Sequence, residues 1–224
     1  MNVIIFGATG MVGQGVLREC LLDPEVKSVL TIGRNATAQR HEKLHEIVHQ
    51  NLSDLSAIEG KLSGYDACFF CLGVSAVGMK EEAYQRVTHD LTISVARTLS
   101  RFNAGMTFIY VSGAGTDSTE RGRTMWARVK GKTENALLQM PFKAAYMFRP
   151  AYIQPLHGIR TKTKLYGVVY AVVGPLYPAW KLLFPKYVTT TECLGRAMLN
   201  AAKRGAPKSV LENQDINSVC RDAS

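Results

Sequence analysis

The residues best placed to do chemistry are a run of glycines near the start of the chain, Gly7-Ala8-Thr9-Gly10-Met11-Val12-Gly13. The first glycine allows a tight bend, and the second lets backbone approach a bound anion. The third lets a following helix pack closely on its sheet. The run sits between an apolar, β-branched segment at Asn2–Phe6 and a segment, Met11–Leu22, with apolar residues at helical spacing (Val12, Val16, Leu17, Cys20, Leu21). A phosphate-binding turn needs this strand–turn–helix setting. Gly7, Thr9, Gly10, Met11, Val12 and Gly13 are therefore expected to hold the pyrophosphate of a dinucleotide. The spacing is G-x-x-G-x-x-G, a departure from the G-x-G-x-x-G of classical dehydrogenases.

A second group of residues bears on which dinucleotide. Thr31-Ile32-Gly33-Arg34 closes the next apolar segment. An acidic residue there would accept hydrogen bonds from ribose hydroxyls and repel a 2′-phosphate, whereas a guanidinium grips a phosphate in a fork. Arg34, helped by Arg40, thus predicts NADP(H) as the cofactor. Asp54, after the third strand, is expected to reach the adenine edge, and Leu72 and Gly73 to line the groove with backbone at the end of the fourth. Cys68 and Cys71 form a C-x-x-C, but on a strand two residues three apart face opposite ways, so no metal is expected between them.

Positioning these residues falls to an alternating series of elements. Beyond the first strand and helix, apolar segments at 28–32, 46–49, 66–72, 106–112 and 144–148 read as strands. Helical spacing covers 80–102 and 123–139, and a last helix is expected over 193–204, capped by Thr191 or a neighbour. A short strand near 210–211 and a polar tail finish the chain. Near-continuous apolar strands alternating with helices predict an α/β fold, a doubly wound parallel sheet of Rossmann type covered on both faces. With 224 residues, 46% of them hydrophobic and 20% charged, the chain suits one such domain and excludes wholesale disorder.

These motifs resemble a known family. Gly-Ala-Thr-Gly with Ile32-Gly33-Arg34, Arg128-Val129-Lys130-Gly131-Lys132 and Phe148-Arg149-Pro150-Ala151 is similar to the atypical short-chain dehydrogenase/reductases. Within them the closest likeness is to the branch of the Tat-interacting-protein oxidoreductase, which Leu211-Glu212-Asn213 also resembles. The resemblance implies an NADP(H)-binding Rossmann domain, oxidoreductase ancestry and a short C-terminal substrate region. It further implies a catalytic set of serine, tyrosine and lysine, the tyrosine passing a proton to a carbonyl oxygen and the lysine lowering its pKa while holding the nicotinamide ribose. Lys130 matches the lysine and Ser112 stands nearest the serine position, but Trp126 occupies the place of the tyrosine. An indole N–H donates a hydrogen bond and does not act as an acid or base near neutral pH. A carbonyl or enone reductase with an altered active site is one expectation; an NADPH-binding sensor that has lost proton transfer is the other. Tyr84, Tyr152 and His157 are the substitute proton donors to consider.

After Arg149-Pro150 the composition changes. The stretch 165–184 is the most apolar in the chain, but it contains Gly167, Gly174, Pro175 and Pro178, which argue against a membrane span. Three readings stay open for the region 151–189: a lid over the pocket of a small apolar substrate, a self-association surface for a homodimer, or a peripheral membrane contact through 160–186 supported by Arg160, Lys162, Lys164, Lys181 and Lys186. The formal charge of +9 implies an anionic partner. No recognition-helix or RNA-binding signature accompanies it, so nucleic acid is not expected. Five scattered cysteines and the lack of a secretory signal pattern at Met1 predict a cytoplasmic protein.

Overall fold

The computed structural model describes residues 1–159 and 183–221. Its centre is a parallel sheet built from β1 (Asn2–Phe6), β2 (Ser28–Gly33), β3 (Leu44–Val48), β4 (Ala67–Phe70), β5 (Thr107–Val111), β6 (Ala144–Arg149) and β9 (Val210–Glu212). The strands lie in the order β3-β2-β1-β4-β5-β6-β9. β7 (Tyr152–Gln154) and β8 (Val188–Thr190) form a separate parallel pair. Strand order reverses between β1 and β4, which opens a crevice at their carboxyl ends where ligands of doubly wound sheets bind. This is the expected Rossmann-like α/β fold.

Alternation along the buried strands feeds two cores. Val3 and Ile5 point to one face and join Val16, Leu17 and Cys20 of α1 (Met11–Leu22), together with Leu194, Ala197 and Met198. Ile4 and Phe6 point to the other face and join Val95, Ala96 and Leu99. Cys68 lies in the second core and Cys71 packs against the first, the opposed orientation that strand geometry requires.

The helical region expected at 80–102 is divided into α2 (Glu81–Gln85), a π-turn at Arg86–Asp90 and α3 (Leu91–Phe102). α4 (Met125–Leu138) follows β5. α5 (Thr191–Arg204) packs on α1 and is capped by Thr190, whose hydroxyl accepts from the Cys193 N–H. The expected polar tail is instead a further helix, α6 (Asn213–Arg221), which buries Ile216 and Val219. Cys193 and Cys220 tie α5 to α6 through a disulfide that the cysteine spacing does not reveal. Most of the apolar stretch at 165–184, with Arg160, Lys162, Lys164 and Lys181, lies outside the described residues. Among the described residues no helix is long and apolar enough to cross a membrane.

Candidate functional site

The glycine turn has the shape its sequence demands. Gly7 has φ +83°, and a Cβ on it would lie 2.8 Å from the Cys71 carbonyl carbon and the Leu72 nitrogen. A Cβ on Gly13 would lie 2.1 Å from the Gly7 oxygen, so the first turn of α1 can close on the loop only without a side chain there. The loop is held by Gly10 N–H donating to Gly7 O at 2.9 Å and by the Gln14 side-chain amide donating to Thr9 O at 3.2 Å. Gly10 is the N-cap of α1 and offers no side-chain oxygen, and no acidic residue occupies the first turn. The helix N–H groups are therefore left for an anion. Met11 and Val12 turn their side chains to the core, which leaves only their backbone to serve a phosphate.

From this turn a groove runs toward the sheet edge, lined by Gly7, Ala8, Thr9, Thr31, Ile32, Gly33, Arg34, Asn35, Thr37, Leu52 and Leu72. Arg34 is exposed at its margin, where the sequence places it. Arg40 and Gly73 are not among the groove residues. The loop after β2 is held from the edge strand β3. Glu46 accepts the Thr37 N–H at 2.8 Å and the Thr31 hydroxyl at 3.2 Å, and the Gln50 amide donates to Arg34 O at 3.1 Å. Neither Glu46 nor Gln50 was legible as a site residue in the sequence; only the parallel register that sets Thr31 beside Glu46 reveals them.

Asp54, expected at the adenine edge, is not among the groove residues. Its carboxylate accepts the Ser56 N–H at 3.0 Å and starts a short 3-10 helix, Ser56–Lys61. Hydrogen bonds from Ser56 hold that carboxyl below the ordinary Asp range. Leu52, two residues earlier, lines the groove instead, an exchange the apolar Leu52 among polar neighbours could have signalled.

The second half of the site lies two strands away, at the carboxyl end of β5. A Cβ on Gly131 would sit 1.8 Å from the Asp117 oxygen, so α4 rests directly on the loop after β5. That contact brings Lys130 under the loop, where its amine donates to Ser112 O and lies 3.7 Å from the Cβ position of Gly113. The Lys130 ammonium stands 5.8 Å from the Trp126 ring centroid, a cation–π arrangement. Trp126 in turn covers Gly115, 3.3 Å from its Cβ position. Burial pushes the Lys130 pKa down to about 8, with the Glu134 carboxylate pulling the other way.

The Ser112 side chain points elsewhere. Ser112 is 3% exposed, and its hydroxyl donates to Glu134 Oε1 at 2.5 Å. Glu134 is fully buried and accepts from the Arg149 guanidinium through both of its oxygens. Arg149 also reaches Ser118 Oγ at 2.5 Å and Glu212 at 3.1 Å. The residue nearest the catalytic-serine position is thus part of a charge network that joins the end of β5 to α4, β6 and β9. The substitute proton donors are likewise engaged. Tyr84 is buried, the Tyr152 hydroxyl donates to Gln154 Oε1 at 2.9 Å, and His157 pairs with Glu192 at 2.7 Å.

Comparison with known proteins decides the family. The model of the NAD dependent epimerase/dehydratase family matches residues 3–122, the part carrying the glycine turn, the groove and the β5 edge. The chain belongs to that family. Its relatives include "Protein fmp52, mitochondrial" of Emericella nidulans, 26% identical over 208 residues, covering 89% of this chain and 86% of the relative. The Aspergillus fumigatus protein of that name is 30% identical over 159 residues, with 68% and 66% covered. The match to the Chaetomium globosum "Protein FMP52, mitochondrial" is 26% identical and spans 65% of that relative's length. Among solved structures, the Bordetella bronchiseptica enzyme WbmF in complex with NAD+ superposes with TM-score 0.66 at 15% identity, covering 99% of this chain and 77% of that one. The PhqB reductase domain from Penicillium fellutanum gives TM-score 0.67 at 14% identity, covering 94% and 65%. These likenesses show the Rossmann-like α/β fold.

The relatives also overturn the expectation of a cytoplasmic protein, since they are named as mitochondrial. The physical reason is simple. Cysteine count and spacing do not distinguish the cytosol from another compartment, and the Cys193–Cys220 disulfide removes two of the five thiols on which the expectation rested.

Proposed function

We propose that this protein is an NADP(H)-dependent oxidoreductase acting on an apolar carbonyl or enone, with Trp126 standing where the usual tyrosine would be. The observation that carries the reading is a pair of features at the carboxyl ends of the strands, one after β1 and one after β5. The glycine turn opens into a groove with Arg34 at its margin, and the amine of Lys130 lies beneath the loop after β5. The turn fits the cofactor, because Gly7 packs on the Cys71–Leu72 backbone and Gly13 on the Gly7 oxygen, and the helix start they shape has no side-chain cap and no acidic residue. When bound there, the cofactor supplies a hydride donor or acceptor. The chain's own part is to hold it: backbone N–H groups at the start of α1 take the pyrophosphate, Arg34 takes the 2′-phosphate and Lys130 orients the nicotinamide ribose. The Trp126 ring shields the lysine from water and presents an apolar wall. The naming of the relatives supports a mitochondrial setting.

The test is NADPH oxidation against a panel of apolar aldehydes, ketones and enones. The expected result is turnover above background that falls at least about 100-fold in Lys130→Met, within the range for loss of a positioned catalytic group. A flat panel would contradict the enzyme reading.

Two observations favour a second reading, an NADPH-binding module without turnover. Trp126 has no acid or base function, and the Ser112 hydroxyl is committed to Glu134. On that reading the panel stays flat while NADPH binds, and Trp126→Tyr raises NADPH oxidation above background.

A further inference from the structure

We propose that Glu46, assisted by Gln50, is a positioning residue for cofactor discrimination: from the edge strand it fixes the loop that aims Arg34 at the 2′-phosphate. The inference rests on the NADP(H) reading above and adds to it a residue that never touches the phosphate. Arg34 is exposed, and a long exposed side chain loses its rotamer freedom on binding, so its backbone must be well placed for a fork contact to be favourable.

Four hydrogen bonds supply that placement. The Glu46 carboxylate holds the Thr37 N–H at 2.8 Å, beyond the loop's tip, and the Thr31 hydroxyl at 3.2 Å, before it. One side chain therefore spans the segment from Thr31 to Thr37, which contains Arg34. The Gln50 amide fixes the Arg34 carbonyl itself at 3.1 Å, and the His49 N–H donates to Gly33 O at 2.9 Å. Thr31, Arg34 and Thr37 all line the groove, so a shift of this loop is a shift of the groove wall. An acidic side chain this close to a 2′-phosphate site would ordinarily oppose NADP. Here one of its oxygens takes two donors, one from β2 and one from the loop that follows it, which gives it a tethering role.

The experiment measures the dissociation constants of NADPH and NADH for the whole chain and for Glu46→Ala, Glu46→Gln, Arg34→Ala and the Arg34→Ala/Glu46→Ala double variant, with thermal unfolding of each. Wild type is expected to prefer NADPH. Glu46→Ala should weaken NADPH about tenfold, comparable to loss of one charge-assisted contact, while leaving NADH within about twofold. Glu46→Gln keeps an acceptor for Thr37 and Thr31 and should retain the wild-type ratio. In the double variant the Glu46 effect should vanish, because no guanidinium remains to be aimed. Equal weakening of both cofactors in Glu46→Ala, tighter NADPH binding in either Glu46 variant, or an undiminished Glu46 effect without Arg34 would overturn the proposal. A wild type with no NADPH preference would overturn it together with the NADP(H) reading. A wild-type preference untouched by Glu46→Ala would overturn the proposal alone.

Discussion

Lys130 carries the sharpest claim at the scale of single residues. Its pKa is lowered by burial to about 8, so between that value and the ordinary lysine value the unfolded chain binds more protons than the folded one. Lys130 therefore contributes stability that rises with pH over that interval, against the opposite contribution of buried Cys20, Cys68 and Cys71, whose raised pKa values favour the unfolded chain as pH rises. In urea unfolding from pH 7.5 to 10.5 the stability of wild type relative to Lys130→Met should therefore rise; identical profiles would contradict the burial argument. The Glu134–Arg149 pair gives a second test. Glu134 is fully buried, so Glu134→Ala leaves a guanidinium without its main partner and should cost about 3–5 kcal/mol in urea unfolding. A loss below about 1 kcal/mol would mean that Glu212 and Ser118 suffice for Arg149. Lys130 and Trp126 were named through the resemblance to the atypical short-chain dehydrogenase/reductases, and both lie on one helix, α4. The inward turn of Ser112 could not be foreseen, since it depends on a carboxylate 22 positions later that the helix brings under β5.

Among the elements, the first strand–turn–helix unit is tightly constrained. Gly13→Ala would place a methyl group 2.1 Å from a backbone oxygen, and neither α1 nor the turn can yield cheaply. The variant should lose cofactor binding and about 1–3 kcal/mol of stability, read by NADPH titration and urea unfolding; unchanged binding would show that the turn does not hold the pyrophosphate. The strands and helices of the sheet were legible because their apolar periodicities are unbroken. β3 was found two residues late, since it is an edge strand with His45 and Glu46 exposed and little apolar signal. The π-turn inside the region 80–102 has no composition signature. α6 was missed because its short apolar set, Ile216, Val219 and Cys220, sits among polar residues, although the i, i+3, i+4 spacing was there to read.

For the molecule as a whole, the sequence carried the doubly wound parallel sheet, because near-continuous apolar strands alternate with helices along the chain. What it could not carry were contacts made across distant segments: Glu46 and Gln50 on the loop of Arg34, the disulfide between α5 and α6, and the exchange of Asp54 for Leu52 at the groove. The formal charge of +9 agrees with an anionic cofactor without identifying it. The central claim is that the groove is an NADP(H) site, and direct titration of the purified chain with NADPH and, separately, NADH tests it. The account predicts micromolar binding of NADPH, NADH at least about tenfold weaker, and loss of that difference in Arg34→Ala. Binding of neither cofactor, or tighter binding of NADH, would contradict it.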